Sequence, residues 1–286
     1  MPKVRRLIGS YTKSSNGLFM FLDDLHVIET SLQPLLLDIL YSISRGNKIF
    51  LKISSIDIFS KTYDSEKNIG LEIPQDAQPI RLDYNLTTLK KTTKHIESIL
   101  DAHAEFCGIR SIRSLCSSKD VIPRLTWVSA GVPRDALSLL SQALSSSISD
   151  ERKNVSVSKI NIAASENLSN KLKEMKTDAS EDSEELYLKL EKVDNFVKSN
   201  KTNAFLVGTR ENDWFEVIEK LIHLRLIHVI SEGITIGTAG KKALGLILDY
   251  GFYTGIRAAR SIKLFEPDSD TGTYRKLRQL PVLKDL

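Results

Sequence analysis

The chain has 286 residues, of which 41% are hydrophobic and 27% charged, and it carries a formal net charge of +4. That length buries a sizeable core and holds two or three small domains, and its apolar runs are far too short to span a bilayer. Two cysteines, Cys107 and Cys116, form no metal pattern and no disulfide framework, and the mild positive charge permits contact with nucleic acid without arguing for it.

Residues 1–17 carry Lys3, Arg5, Arg6 and Lys13 and no acid, and end in the turn-like Ser14-Ser15-Asn16-Gly17. No apolar core follows the basic start, so no secretion signal is read and a cytoplasmic location is expected. Leu18-Phe19-Met20-Phe21-Leu22 is an unbroken apolar run that passes directly into Asp23 and Asp24. Such a run predicts a strand buried on both faces, as in a parallel sheet. Ser31 to Ser44 reads as a helix, with Leu32, Leu35, Leu36, Ile39, Leu40 and Ile43 at helical spacing and Pro34 in the first turn, where its missing N–H costs little. Ile49 to Ile53 is a second candidate central strand. Residues 60–79 read as a loop, and Ile80-Arg81-Leu82 as a third strand.

From Thr87 the pattern turns helical. Helices are expected around Leu89–Leu100, Ile112–Leu115, Ile122–Ala130 and Arg134–Leu144, the last two joined by Gly131-Val132-Pro133. The Ser-rich stretch from Ser145 to Val157 reads as linker, and the acidic stretch from Met175 to Glu185 as a solvated linker or a helix start. Leu186–Val197 is helical, and Trp214–Leu226 forms another helix led by Asn212 or Asp213 as a cap. His228 to Ile236 reads as two short strands around Glu232-Gly233, followed by a long helix from Ala239 to about Arg260. Helix, helix, hairpin and helix in some seventy residues is the outline of a winged helix.

Acids at the C-terminal edge of a buried parallel strand sit where open α/β sheets bind ligands. Leu18–Asp24 therefore has the shape of a Walker B element, in which the first acid holds Mg²⁺ and the second prepares water to attack a phosphate. No G-x-x-x-x-G-K-[ST] loop occurs in the 286 residues, and the strand begins at residue 18, leaving no room upstream for a phosphate-binding strand, loop and helix. His26, two residues past the acids, reads first as a packing or capping residue. His223 and His228 have no acid or Cys spacing that suggests a metal site.

Together with Gly131-Val132-Pro133-Arg134-Asp135-Ala136-Leu137 and the segment Asn203–Gly251, the strand and its acids carry a resemblance. The chain resembles the C-terminal part of an AAA+ ATPase of the origin-recognition (ORC/CDC-like) type, or the related STAND-like ATPases. In that family a G-x-P-R segment opens a lid helix whose Arg senses the nucleotide phosphates. The resemblance implies an α/β partial P-loop core over 1–86, an α-helical lid over 87–150, a polar and acidic linker over 151–184, a C-terminal winged-helix domain (α+β) over 185–262 and a basic tail over 263–286. It implies a metal role for Asp23, a catalytic water-activating role for Asp24, a nucleotide role for Arg134, and ATP and Mg²⁺ as cofactors of an intact version. The family's usual second acid is Glu, and its polar sensor after the next strand falls here on Lys52, Ser54 or Ser55.

The expected function is part of an ATPase that couples nucleotide state to assembly or DNA contact, inactive alone for want of a phosphate-binding loop. The alternative is a non-enzymatic winged-helix DNA-binding or scaffold protein with a degenerate core. Lys241, Lys242, Arg257 and Arg260 along the long helix form a basic fringe that would grip duplex DNA. The Trp214–Leu226 helix, with Glu216, Glu219, Lys220 and Arg225, has no clear DNA-reading face, and packing against the core or a partner subunit stays open beside DNA binding.

Overall fold

A computed structural model of the chain describes residues 2–13, 17–56, 59–80, 82, 86–177, 182–208, 214–236, 240–254, 262–263, 265 and 272–286. The chain divides into two compact units, Met1–Leu82 and Asp83–Leu286. No described helix is long and apolar enough to cross a membrane.

The first unit runs α1 (Pro2–Lys13), β1 (Leu18–Leu22), α2 (Gln33–Ser44), β2 (Ile49–Ile53) and a small antiparallel ladder of β3 (Tyr63–Asp64) and β4 (Ile69–Gly70). β1 and β2 pair in parallel, from Leu18 opposite Ile49 to Leu22 opposite Ile53, with α2 as the crossover. Buried Gln33 ties the helix start to the loops. Its Nε2 donates to the Ile28 carbonyl at 2.8 Å and the Phe59 carbonyl at 3.2 Å, while Oε1 accepts the Lys61 N–H at 2.7 Å. Leu25, Leu37 and Leu71 form the core, with Leu22, Leu36 and Ile53 packed against it.

Three expectations fail in this unit, and the first is that residues 60–79, read as a loop, hold the β3–β4 ladder. The apolar run of β1 is not buried on both faces: Phe19 and Phe21 are 57% and 76% exposed, and Phe50 on β2 is 49% exposed. Side chains of a strand alternate, so only the face bearing Leu22 and Ile53 meets α2. Ile80 and Leu82 lie outside any strand and are well exposed.

The second unit begins with α3 (Leu89–Phe106), a 3₁₀ turn at Ile112–Leu115, α4 (Val121–Val128), α5 (Pro133–Ser149) and α6 (Val157–Thr177). It continues through α7 (Asp182–Asn200), β5 (Ala204–Gly208), α8 (Phe215–His223), β6 (Ile227–Ile236), β7 (Lys241–Leu248), α9 (Gly251–Thr254), α10 (Gly272–Arg278) and β8 (Val282–Leu283). The four strands lie in the order β6-β7-β5-β8, with β5 antiparallel to β7 and parallel to β8.

The stretch read as linker holds α6. Ile160, Ala163, Ala164, Leu168 and Met175 are buried at the three- and four-residue spacing of one narrow helical stripe. The surrounding Ser, Asn, Lys and Glu hide that stripe from a compositional reading. Its first half joins the core of α3, α4 and α5, and its second half joins the core beneath the sheet. α5 likewise runs on through the serines: Ser147 and Ser149 bond back to the carbonyls of Ala143 at 2.8 Å and Ser145 at 3.0 Å, so their hydroxyls are satisfied without leaving the helix.

The long helix expected from Ala239 is instead β7 followed by the single turn of α9. Ala243 to Leu248 are all buried, which is the two-sided burial of an inner strand. β6 is one strand rather than two. Its pairing with β7 is irregular around Ser231–Ile234, where Gly233 takes φ 68°, a conformation open to glycine without steric cost. Gly245 faces that irregular stretch, and a Cβ there would stand 2.9 Å from Ile234 Cδ1. The residues read as a basic tail also belong to the fold. Leu277 and Leu283 are buried, and the Leu206 N–H donates to the Pro281 carbonyl at 2.8 Å. The caps expected at Asn212 or Asp213 lie outside the described residues.

One buried charge network joins α6, β6, β7 and α9. The Asp249 carboxylate accepts from Lys171 Nζ at 2.7 Å, from the Gly251 N–H at 2.8 Å and faces His228 Nε2 at 3.2 Å. Lys171 Nζ also donates to the Arg225 carbonyl at 3.0 Å. Burial alone would raise the Asp249 pKa, but the His228 hydrogen bond and the Lys171 charge hold it at about 2. A folded-state pKa below the unfolded value gives stability that is present above about pH 4 and lost as pH falls toward 2. Removing one partner strands the other charge in the interior at a cost of about 3–5 kcal/mol. Asp249→Asn should therefore lower stability in urea titrations by about 3 kcal/mol at pH 7 and flatten the acid dependence of the midpoint below pH 4.

Candidate functional site

Parallel pairing sets the C-terminal ends of β1 and β2 side by side, and the polar residues there come from both strands. The ladder continues past the strands: the Ser54 N–H donates to the Leu22 carbonyl at 2.9 Å, and the Leu25 N–H to the Ser54 carbonyl at 3.1 Å. Ser54 Oγ donates to Asp23 Oδ1 in a short hydrogen bond and accepts the Asp24 N–H at 3.1 Å. The same N–H lies 3.2 Å from Asp23 Oδ1. Asp23 is thus held by its neighbour's backbone and by a hydroxyl from the next strand, with Oδ2 left over.

Asp24 adopts φ 52°, ψ 47°, the left-handed region that Asp and Asn tolerate better than most side chains. The following residue, Leu25, is buried at 1% exposure and opens a 3₁₀ turn, closed by the Val27 N–H on the Asp24 carbonyl at 2.9 Å. The conformation turns the chain from strand into core within one residue. It also supplies a local reason for a short acid here: Asp is among the few side chains suited to that backbone. The Asp24 carboxylate is exposed and accepts no hydrogen bond from the described residues. His26 Nδ1 accepts a long 3.4 Å bond from the Ile56 N–H, so the imidazole bridges the two strand exits and acts locally as a packing residue.

Of the three sensor candidates, Ser54 is the one that reaches the acids. Ser55 pairs instead with Ser60, whose Oγ lies 2.6 Å from the Ile56 carbonyl, and Lys52 stands on the outer face beside Phe21. Among the described residues no three of His, Cys, Asp and Glu gather into a metal-holding group. The donor set at this edge is one anchored carboxylate, one free carboxylate and a hydroxyl. That is what Mg²⁺ takes from a protein when phosphates and water supply the remaining oxygens. No glycine-rich cradle for those phosphates exists in the sequence.

Arg134 belongs to the second unit. It follows Pro133 in the first turn of α5 and is exposed, with no partner among the described residues. The next residue does the structural work: Asp135 is buried and forms an ion pair with Arg225 in the link between α8 and β6. Sequence reading passed over Asp135. A carboxylate three residues into a helix, behind a proline and ahead of an apolar stripe, is the available sign of it.

Lys241 and Lys242 do not open a helix. They begin β7 opposite Ile236 and Thr235 and are exposed, with Lys242 Nζ 3.2 Å from Thr235 Oγ1. Arg257 and Arg260 lie outside the described residues. On α8, Glu216 and Lys220 form an exposed ion pair at 3.1 Å. Burial and the Glu216 charge raise the Glu219 pKa.

No family model and no curated protein matches the chain. Among solved structures it is similar to the Aeropyrum pernix ORC1 protein in complex with DNA, at 15% identity and a TM-score of 0.43, over 95% of this chain and 69% of that one.

The left-handed backbone at position 24 makes a direct prediction. Asp24→Asn should leave the stability of the first unit within about 0.5 kcal/mol, whereas Asp24→Val should cost about 1–2 kcal/mol, because a β-branched side chain clashes there. Hydrogen exchange of the Phe21 and Leu22 amides reports the difference. Equal protection in both variants would remove the backbone constraint.

Proposed function

We propose that the chain is part of a P-loop-type ATPase of the AAA+ or STAND-like kind, with the edge of β1–β2 as its metal-anchoring side. The observation that carries this reading is the Asp23–Ser54 bond across the parallel pair, with the Asp24 carboxylate beside it unengaged by the described residues. Bound Mg²⁺ would neutralise phosphate charge. Asp23 Oδ2 is the oxygen free to hold it, and Ser54 keeps that carboxylate in place. Asp24 has acceptor capacity to orient a water, and Arg134 has a planar fork, unpaired among the described residues, that suits phosphate oxygens. Without a glycine-rich loop most phosphate contacts are missing, so the chain by itself has little affinity for nucleotide. Nucleotide state would act on assembly or DNA contact through the second unit.

Mn²⁺ replaces Mg²⁺ as a paramagnetic probe. Titrating the 286-residue protein with Mn²⁺–ATP should broaden the amide signals of Asp23, Asp24 and Ser54 at millimolar concentration, and Asp23→Asn should abolish the effect without altering the spectrum elsewhere. Broadening that spares these amides would overturn the assignment.

A second reading, a winged-helix DNA-binding or scaffold protein, is favoured by the α7–β5–α8–β6–β7 order with β7 between its two neighbours and by the exposed lysines at the start of β7. On that reading the full chain binds duplex DNA with an affinity that falls steeply with salt. The double variant Lys241→Glu, Lys242→Glu should weaken it and reduce the slope of log K against log salt by about 2. Electrophoretic shifts from low to physiological salt test this. No shift at the lowest salt would make the unit a protein–protein module.

A further inference from the structure

The outer face of the β1–β2 pair is apolar, carries one charge and is left exposed by the described residues. Leu22 and Ile53 turn inward to Leu36 and Leu37 of α2. The opposite face presents Phe19 and Phe21 from β1 and Phe50 and Lys52 from β2, with Phe19 opposite Phe50 and Phe21 opposite Lys52. The rings form a continuous stack: Phe19 lies 5.1 Å from Phe50 and 6.5 Å from Phe21, with interplanar angles of 27° and 24°. At ~200 Å² per phenylalanine, exposures of 57%, 76% and 49% leave roughly 350 Å² of aromatic surface in water. A contiguous patch of that size on a folded chain marks an interaction site. Lys52 makes no ion pair among the described residues, so the face offers one unneutralised cation beside the aromatic stack.

The dimensions select the occupant. Two strands ~4.8 Å apart make a strip about one helix diameter wide, and five residues per strand span ~17 Å, about three helical turns. Parallel strands are covered on both faces by helices because a single layer cannot bury both, and α2 supplies one layer only. A second copy packed face to face would bring two Lys52 side chains onto one small apolar contact. An added edge strand would leave the rings in water.

We propose that this face receives an amphipathic helix from another polypeptide, at least three turns long, with apolar side chains at i, i+3 or i+4, and i+7 over the phenylalanines and a carboxylate over Lys52. The helix packs on Phe21 and Phe50 as the anchoring pair, and the carboxylate sets its register and direction. This contact uses neither the Asp23 carboxylate nor any nucleotide, so it stands or fails apart from the metal-site reading.

The test uses the 286-residue protein and two fluorescent synthetic helical peptides that share one leucine face. One carries glutamate beside that face and the other lysine. Fluorescence anisotropy should show the glutamate peptide binding about threefold more tightly than the lysine peptide, the difference one exposed charge pair provides. Lys52→Glu should reverse the preference. Phe21→Thr should weaken both peptides at least about tenfold, as loss of an aromatic anchor does, while Asp23→Asn leaves both unchanged. Circular dichroism confirms folding, and should Phe21→Thr unfold, the Lys52→Glu reversal decides alone. Absence of binding, or binding indifferent to Lys52→Glu, overturns the proposal. So does a concentration-dependent dimer in sedimentation that Phe21→Thr abolishes, which would assign the face to self-association.

Discussion

A charged network that cannot be shed without cost fixes the second unit. Asp249 sits at the end of β7 with Lys171 from α6, His228 from β6 and the amide of Gly251 around it. A buried carboxylate is costly unless its oxygens are all engaged, and here the engagement requires four elements to be correctly placed at once. Mispacking α6 against the sheet by one turn would take Lys171 away from both Asp249 and the Arg225 carbonyl and remove the lysine counter-charge of Asp249. Steric closeness works in the same direction. A Cβ on Gly251 would stand 2.7 Å from Leu168 Cβ and 2.9 Å from the Ala164 carbonyl, so glycine at that position lets α9 close onto α6.

The two units use the ends of their strands in opposite ways. In the second, the Asp249 carboxylate beyond β7 is buried and engaged on both oxygens, and it holds the fold. In the first, the polar groups beyond β1 and β2 lie in water, bonded on one side only, with acceptor oxygens to spare. Polar groups that a fold leaves partly unused at a strand edge are the ones available for chemistry, and Ser54 keeps Asp23 ordered without consuming both of its oxygens.

Legibility followed the strength of local signals. The apolar run into Asp23-Asp24 was readable from its shortness and its acidic stop, and the helix behind Pro34 and the helices near Leu89 and Arg134 because period and punctuation agreed. α6 was hidden because its stripe is narrow and three of its five buried apolar residues are two alanines and a methionine, which composition does not separate from a solvated linker. β7 was misread because Ala243-Leu244-Gly245-Leu246-Ile247-Leu248 has no polar face, and an all-apolar run has no period to distinguish strand from helix. The acid pair could be picked out and Ser54 stood among three sensor candidates, but only the parallel register brings Ser54, rather than Lys52 or Ser55, onto Asp23. Nothing local predicted that Phe19 and Phe21 would remain in water, because burial of the second face of a strand depends on what lies above it.

α6 has a further consequence for where the protein can be divided. Its 21 residues span about 31 Å, and the two halves belong to different cores, with Ile160 and Ala163 in one and Leu168 and Met175 in the other. No cut within 157–177 separates the helical bundle from the sheet without opening one of them. A fragment beginning near residue 185 loses Leu168, Lys171 and Met175, and with them part of the floor of the sheet and the counter-ion of Asp249. The second unit is therefore one cooperative body, and evolution would have to exchange it whole.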